Sequence, residues 1–96
     1  MDKYIERIKK ITLEQFEKFE NVKIIFFGSR AYCKNVHTGS DVDIALEGCF
    51  DDTAIINLKE ELEESTIPYE VDVINLNIAD EEFKDKIYKK GIYWKK

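Results

Sequence analysis

Two stretches decide how this chain folds: residues 22–29, Val-Lys-Ile-Ile-Phe-Phe-Gly-Ser, and residues 39–46, Gly-Ser-Asp-Val-Asp-Ile-Ala-Leu. The first is a β-branched and aromatic run, the signature of a buried strand, and Gly28-Ser29 breaks it at once. In the second, residues 41–46 alternate polar and apolar, which is a strand with two unlike faces. Alternation puts Asp41, Asp43 and Ala45 on one side and Val42, Ile44 and Leu46 on the other. Between the two strands, residues 29–35 allow a short helical turn and residues 35–40 a loop.

The flanks supply the remaining elements. Ile5, Ile8, Ile11, Phe16 and Phe19 make an imperfect helical stripe over residues 3–20, blurred by Thr12 and Leu13 and ended by Asn21. Asp52 or Thr53 can cap a helix running to about Ser65, with Ile55, Leu58 and Leu62 inward. Glu60, Glu61, Glu63 and Glu64 fall on its solvated side, and Pro68 disfavours helix at Ile67. Residues 70–76 read as a third strand. Asp80 can cap a last helix holding Phe83 and Ile87, and Gly91 stands where a C′ glycine belongs. The apolar tail Ile92-Tyr93-Trp94 is an edge strand or a docking segment. The order α-β-α-β-α-β-α, without repeat or linker, predicts an α/β (α+β) fold in which helices pack on one small sheet. Residues 1–96 are expected to form a single domain. Strand order and direction stay open at this point.

Composition narrows the function. Fifteen Lys and Arg against twenty Asp and Glu give a net charge of −5, which opposes general affinity for a nucleic-acid backbone. No apolar run has the length of a membrane span, and residues 1–7 lack the apolar core of a secretory signal. Cys33 and Cys49 are too few for a disulfide scaffold or a zinc ribbon, so the expected location is a reducing cytoplasm.

Three constellations carry chemistry. In Phe27-Gly28-Ser29-Arg30, the glycine lets the backbone turn sharply and approach a ligand. A helix starting at Ser29 would aim free N–H groups at a phosphate; Arg30 adds a fixed charge suited to phosphate or to pairing with an acid. Asp41 and Asp43, two residues apart on a strand, stand on one face about 6–7 Å apart at the backbone. Two such anions repel unless a cation lies between them, and magnesium, which prefers oxygen ligands, suits the position. Asp72 sits between Val71 and Val73 in a strand, where a carboxylate needs a partner, a metal or solvent. Together, a phosphate-ready turn and three carboxylates on successive strands are the parts of a two-metal phosphoryl-transfer site.

The residues Gly28-Ser29-Arg30-Ala31, Gly39-Ser40-Asp41-Val42-Asp43-Ile44-Ala45-Leu46 and Val71-Asp72-Val73-Ile74 resemble the minimal nucleotidyltransferases of the polymerase-β superfamily, and the resemblance covers nearly the whole chain. It implies a small mixed sheet flanked by helices, ATP or another nucleoside triphosphate as donor, and magnesium, with two ions, as cofactor. Gly28 and Ser29, with Arg30, would hold the triphosphate. Asp41 and Asp43 would bind metal; Asp72 would complete the metal site and help deprotonate the attacking hydroxyl. The loop from Ser29 to Asp41 is one residue longer than the family pattern usually has. The family setting further implies an antitoxin that transfers AMP to a tyrosine of a small helical partner of the HEPN type, or works beside a related substrate-binding protein. No direct contact with nucleic acid or membrane is expected.

Two other functions fit the same residues. One is a non-catalytic module that neutralises a partner by contact, although three assembled carboxylates serve no purpose there. The other is a small-molecule transferase of the antibiotic-adenylating sort, whose acceptor pocket would need a second subunit. Outside the motif, His37 reads as an exposed loop histidine beside the site, and Cys33 and Cys49 as core or loop thiols. Tyr88, Ile92, Tyr93 and Trp94 form an aromatic cluster that either covers the core or docks a partner.

Overall fold

β1 (Val22–Phe27) forms on the residues expected of it and lies inside the sheet, in a computed structural model that describes residues 3–28 and 42–96. The expected helical turn over 29–35 and the loop over 35–40, with Ser29, Arg30, Cys33, His37 and Asp41, lie outside the described residues. The other elements are α1 (Lys3–Gln15), β2 (Val42–Gly48), α2 (Asp52–Glu64), β3 (Val71–Asn75), one 3-10 turn (Leu76–Ile78), α3 (Glu81–Lys90) and β4 (Ile92–Lys95). The sheet order is β3-β2-β1-β4. β1 runs antiparallel to β2 and β4, while β2 and β3 are parallel, so the sheet is mixed, as the resemblance implied.

The alternation read in β2 sorts the core into two layers. Val42, Ile44 and Leu46 join Ile24, Phe26 and Val73 beneath α1 and α2, which contribute Ile5, Ile8, Leu58 and Leu62. Ile25 and Ala45 face the other way, towards Ile87 of α3 and Leu76. β1 feeds both layers: Ile24 and Ile25 are each fully buried, on opposite faces. Burial at that level contributes about 1.5–3 kcal/mol per aliphatic side chain.

Several boundaries differ from the sequence reading: β3 is Val71–Asn75 rather than 70–76, because Leu76 opens the 3-10 turn, and three others differ for physical reasons. α1 stops at Gln15 rather than near Asn21. Past it the winding tightens, with Glu17 N donating to Glu14 O and Phe19 N to Phe16 O, so that Phe16 and Phe19 keep a helical spacing after the helix has ended. Lys95 then donates to the carbonyls of Phe16 (3.2 Å) and Phe19 (2.6 Å), joining β4 to the end of α1. Thr12, which blurred the stripe, is fully buried because its hydroxyl donates to Ile8 O at 2.7 Å. The cap of α2 is Asp51, whose side chain accepts from Ala54 N, and not Asp52 or Thr53; Ala54 accordingly takes the buried position expected of Ile55. β2 runs on to Gly48, whose N–H and C=O pair with the Asn77 side-chain amide at 3.0 and 2.9 Å. Asp80 caps α3 as expected.

The aromatic tail is an edge strand. A register shift opposite Ile24 and Ile25 lets Trp94 stack on Phe26, with centroids 5.1 Å apart, while Tyr93 and Tyr88 cover the α3 side. Ile92 alone of the four stays largely open, at 45% exposure. Tyr88 also donates to Glu47 Oε2 at 2.5 Å, and Glu47 receives Lys84 at 3.7 Å and Lys23 at 3.9 Å. This cluster ties α3 to the sheet, and nothing in the local sequence announced it. Among the described residues, no helix is long and apolar enough to cross a membrane.

Two outcomes follow. Gly91 closes α3 with a φ of −72°, so a left-handed turn is not why it is glycine. A Cβ there would lie 2.3 Å from Ile25 Cγ2 and 2.7 Å from Ile87 O. We expect Gly91→Ala to cost about 1–3 kcal/mol in urea unfolding, through this overlap. Burial, then the hydrogen bond to Glu47 and the charge of that carboxylate, push the Tyr88 phenol up to about 12 from 10.0. The stability it contributes is therefore complete below pH 10.0 and is lost as pH rises towards about 12. An absorbance titration of the phenols should show a late-ionising tyrosine that Tyr88→Phe removes.

Candidate functional site

The described candidate residues meet where the C-terminal end of β1 lies beside the N-terminal ends of β2 and β3. Register fixes this. Phe27 of β1 pairs with Asp43 of β2, and Asp43 pairs with Asp72 of β3, so the three form one row across the sheet. Residues paired across a ladder share a face, and neighbouring strands lie about 4.8 Å apart. Asp43 and Asp72 therefore stand side by side on the face that carries Ala45, Ile25 and α3. Asp43 is half-buried and held by further contacts; Asp72 is exposed.

Gly28 completes the arrangement. Its φ is +89°, a conformation that other residues adopt only under strain. A Cβ on Gly28 would fall 2.2 Å from Asp43 Oδ2. The carboxylate thus lies directly against the turn backbone, in space that only glycine leaves open. The turn and the carboxylate of Asp43, read together in the sequence as parts of one candidate site, are in direct contact.

Of the sequence-predicted residues, Gly28, Asp43 and Asp72 are brought together; Ser29, Arg30 and Asp41 lie outside the described residues. Among the described residues, no group of three metal-ligating side chains gathers. Asp43 and Asp72 nevertheless offer a donor set made only of carboxylate oxygens, which is what magnesium requires and what zinc or copper does not favour.

The structure adds a feature that sequence reasoning missed. Phe83, in the first turn of α3, meets Phe27 edge to face with centroids 6.1 Å apart, giving the carboxylate row an apolar wall. Phe27, next to Gly28, could have been suspected from the sequence. Phe83 could not, because only the packing of α3 on the sheet brings it there.

The chain is similar to known proteins in family and in fold. Residues 6–95 match the family model described as polymerase beta, nucleotidyltransferase. No match was found among curated protein sequences. Among solved structures, a chain of a toxin–antitoxin complex crystallised with AMP-PNP is similar at 19% identity and a TM-score of 0.67, over 91% of this chain and 72% of that one. A chain of the Shewanella oneidensis complex between a tri-AMPylated HEPN toxin and its MNT antitoxin is similar at 19% identity and a TM-score of 0.63, over 94% and 71%. A further chain from Shewanella oneidensis gives 18% identity and a TM-score of 0.65, over 99% and 72%. The fold shared with them is the polymerase-β-like mixed sheet flanked by helices.

The contact between Gly28 and Asp43 can be tested through stability. Gly28→Ala should cost about 1–3 kcal/mol, from backbone strain and from displacing the carboxylate. In an Asp43→Ala background the same change should cost measurably less, because Oδ2 is gone. Urea unfolding of the four proteins of this double-mutant cycle gives the coupling directly.

Proposed function

The chain belongs to the polymerase-β nucleotidyltransferase family, and from that premise we propose that it transfers AMP from ATP to a tyrosine hydroxyl of a small HEPN-type partner, acting as the antitoxin of the pair. The observation that carries this reading is the pair of carboxylates Asp43 and Asp72, with the Gly28 turn against Asp43. The toxin–antitoxin complexes of like fold support the partner, and the AMP-PNP in one of them supports ATP as donor.

In this reading Gly28, with Ser29 and Arg30, holds the triphosphate. Glycine at position 28 lets the turn take its positive φ with the Asp43 carboxylate directly beside it, and Arg30 supplies charge. Asp43 and Asp72, with Asp41, are the residues that would hold magnesium. When bound, that ion neutralises charge on the phosphates and lowers the pKa of an oxygen it touches. Gly28 and the strand register fix Asp43 in place, so its carboxylate needs no rearrangement before reaction. Asp72 is exposed and can take the proton of an incoming hydroxyl. The hydroxyl oxygen bonds to the α-phosphorus, the bond to the bridging oxygen breaks, and pyrophosphate leaves. Phe27 and Phe83, in edge-to-face contact, flank the carboxylates on the α3 side. A cytoplasmic location fits a donor that is an intracellular nucleotide.

The test is incubation of this protein with its HEPN-type partner, ATP and magnesium, followed by mass spectrometry of the partner. We expect a gain of one or more AMP units, absent without magnesium. Asp43→Asn should keep the fold, by circular dichroism and unfolding midpoint, and lower transfer on the order of 10²–10⁴-fold. A partner of unchanged mass, or an Asp43→Asn protein of full activity, would show the reading to be wrong.

A further inference from the structure

β3, the strand that carries Asp72, is the outer strand of the sheet, and among the described residues nothing pairs with its free side. Val42 N donates to Glu70 O at 2.8 Å. In a parallel ladder this bond sets the alternation along the strand. The main-chain groups of residues 70 and 72 turn towards β2; those of Val71 and Val73 turn outward. A row of donors and acceptors is therefore offered to whatever lies alongside. A groove of about 610 Å³ runs along this edge between β3 and α2, with Leu62, Ile67 and Val73 at its base and Lys59, Glu63 and Glu70 around it. The charges that line the groove are mostly acidic: Lys59 stands against Glu63, Glu70 and Asp72.

Resting on the reading above, we propose that this edge takes the acceptor as an extended, basic segment of the partner protein, which joins the sheet as a fifth strand on Val71 and Val73. Three observations select that occupant. The outward main-chain groups call for an extended chain rather than a helix. The acidic surround calls for Lys or Arg in the segment. The position of Asp72 requires the reacting hydroxyl to arrive at this side of the sheet. Alternate residues of an added strand face opposite ways. The hydroxyl-bearing residue falls on the Asp72 face, and its two neighbours fall on the α2 face, where a basic side chain meets Glu63. Main-chain pairing thus sets the reacting oxygen beside Asp72, while the α2 face selects the sequence around it. In the step itself the hydroxyl oxygen bonds to the α-phosphorus of the nucleoside triphosphate, its proton passes to Asp72, and pyrophosphate departs.

The probe is a short synthetic peptide with a central tyrosine flanked by valine and arginine, added to the full chain without nucleotide. We expect amide exchange at Val71 and Val73 to slow when the peptide binds. N-methylation of the peptide amides that face β3 should weaken binding about tenfold or more, as lost strand hydrogen bonds require. Replacing its arginines by glutamate, or changing the exposed Glu63 to Lys, should weaken binding severalfold, and added salt should reduce that difference. Undiminished binding of the N-methylated peptide, unchanged exchange at both valines, or sedimentation showing that β3 already pairs with a second copy of this chain would each overturn the proposal. Transfer is assayed separately, with nucleotide and magnesium. Edge protection without transfer would count against the enzymatic reading alone, and transfer without edge protection against the docking alone.

Discussion

The contact between the Asp43 carboxylate and the backbone of Gly28 sets the terms for everything around it. A side chain of any size at position 28 would occupy the space that Oδ2 now fills. The turn after β1 and the start of β2 must therefore lie at one height, which the pairing of Phe27 with Asp43 enforces. The parallel register of β2 and β3 extends the row to Asp72. Moving either strand by one residue would reverse every side chain on it, sending Asp43 or Asp72 into the α1–α2 layer and Ile44 or Val73 out of it. The core and the carboxylate row thus depend on the same register. Burial of Val42, Ile44 and Leu46 is what keeps the acids where chemistry can use them.

The two faces of the sheet divide the labour. The α1–α2 side holds the larger apolar layer and no part of the carboxylate row. The α3 side has the smaller core, and it shares its face with Asp43, Asp72, Phe27 and Phe83. A small core holds a helix weakly, and the α3 side adds polar ties: Tyr88 and Lys84 on Glu47, and Asn77 on the backbone of Gly48. At β3 the edge carries Glu70 and Asp72, charges that discourage indiscriminate pairing with other chains.

Much of this was legible in the sequence. β1 was legible because a β-branched run ending in Gly-Ser has few alternatives, and α3 because Asp80 and the position of Ile87 agree. Asp43 and Asp72 could be chosen because carboxylates within apolar strands are chemically conspicuous. The end of α1 was not legible: Phe16 and Phe19 keep the spacing of a helix after the backbone has left it. Gly91 looked like a left-handed cap, but its small size serves Ile25, a residue remote in sequence. The row itself could not be read, since hydropathy patterns do not order strands. Neither could Glu47 with Tyr88, or Phe83, which are made by packing between distant segments.

The placement of β4 has a consequence for biosynthesis. β1 lies inside the sheet, yet one of its two neighbours is made of residues 92–95, and Trp94 is the cover for Phe26. A nascent chain emerging from the ribosome therefore carries β1, its most apolar segment, with one flank uncovered until residues 92–95 have been translated. The lysine that secures the end of α1 arrives with them, at position 95. The sheet is in that sense completed late, only when β4 closes over a strand that was made first among the four.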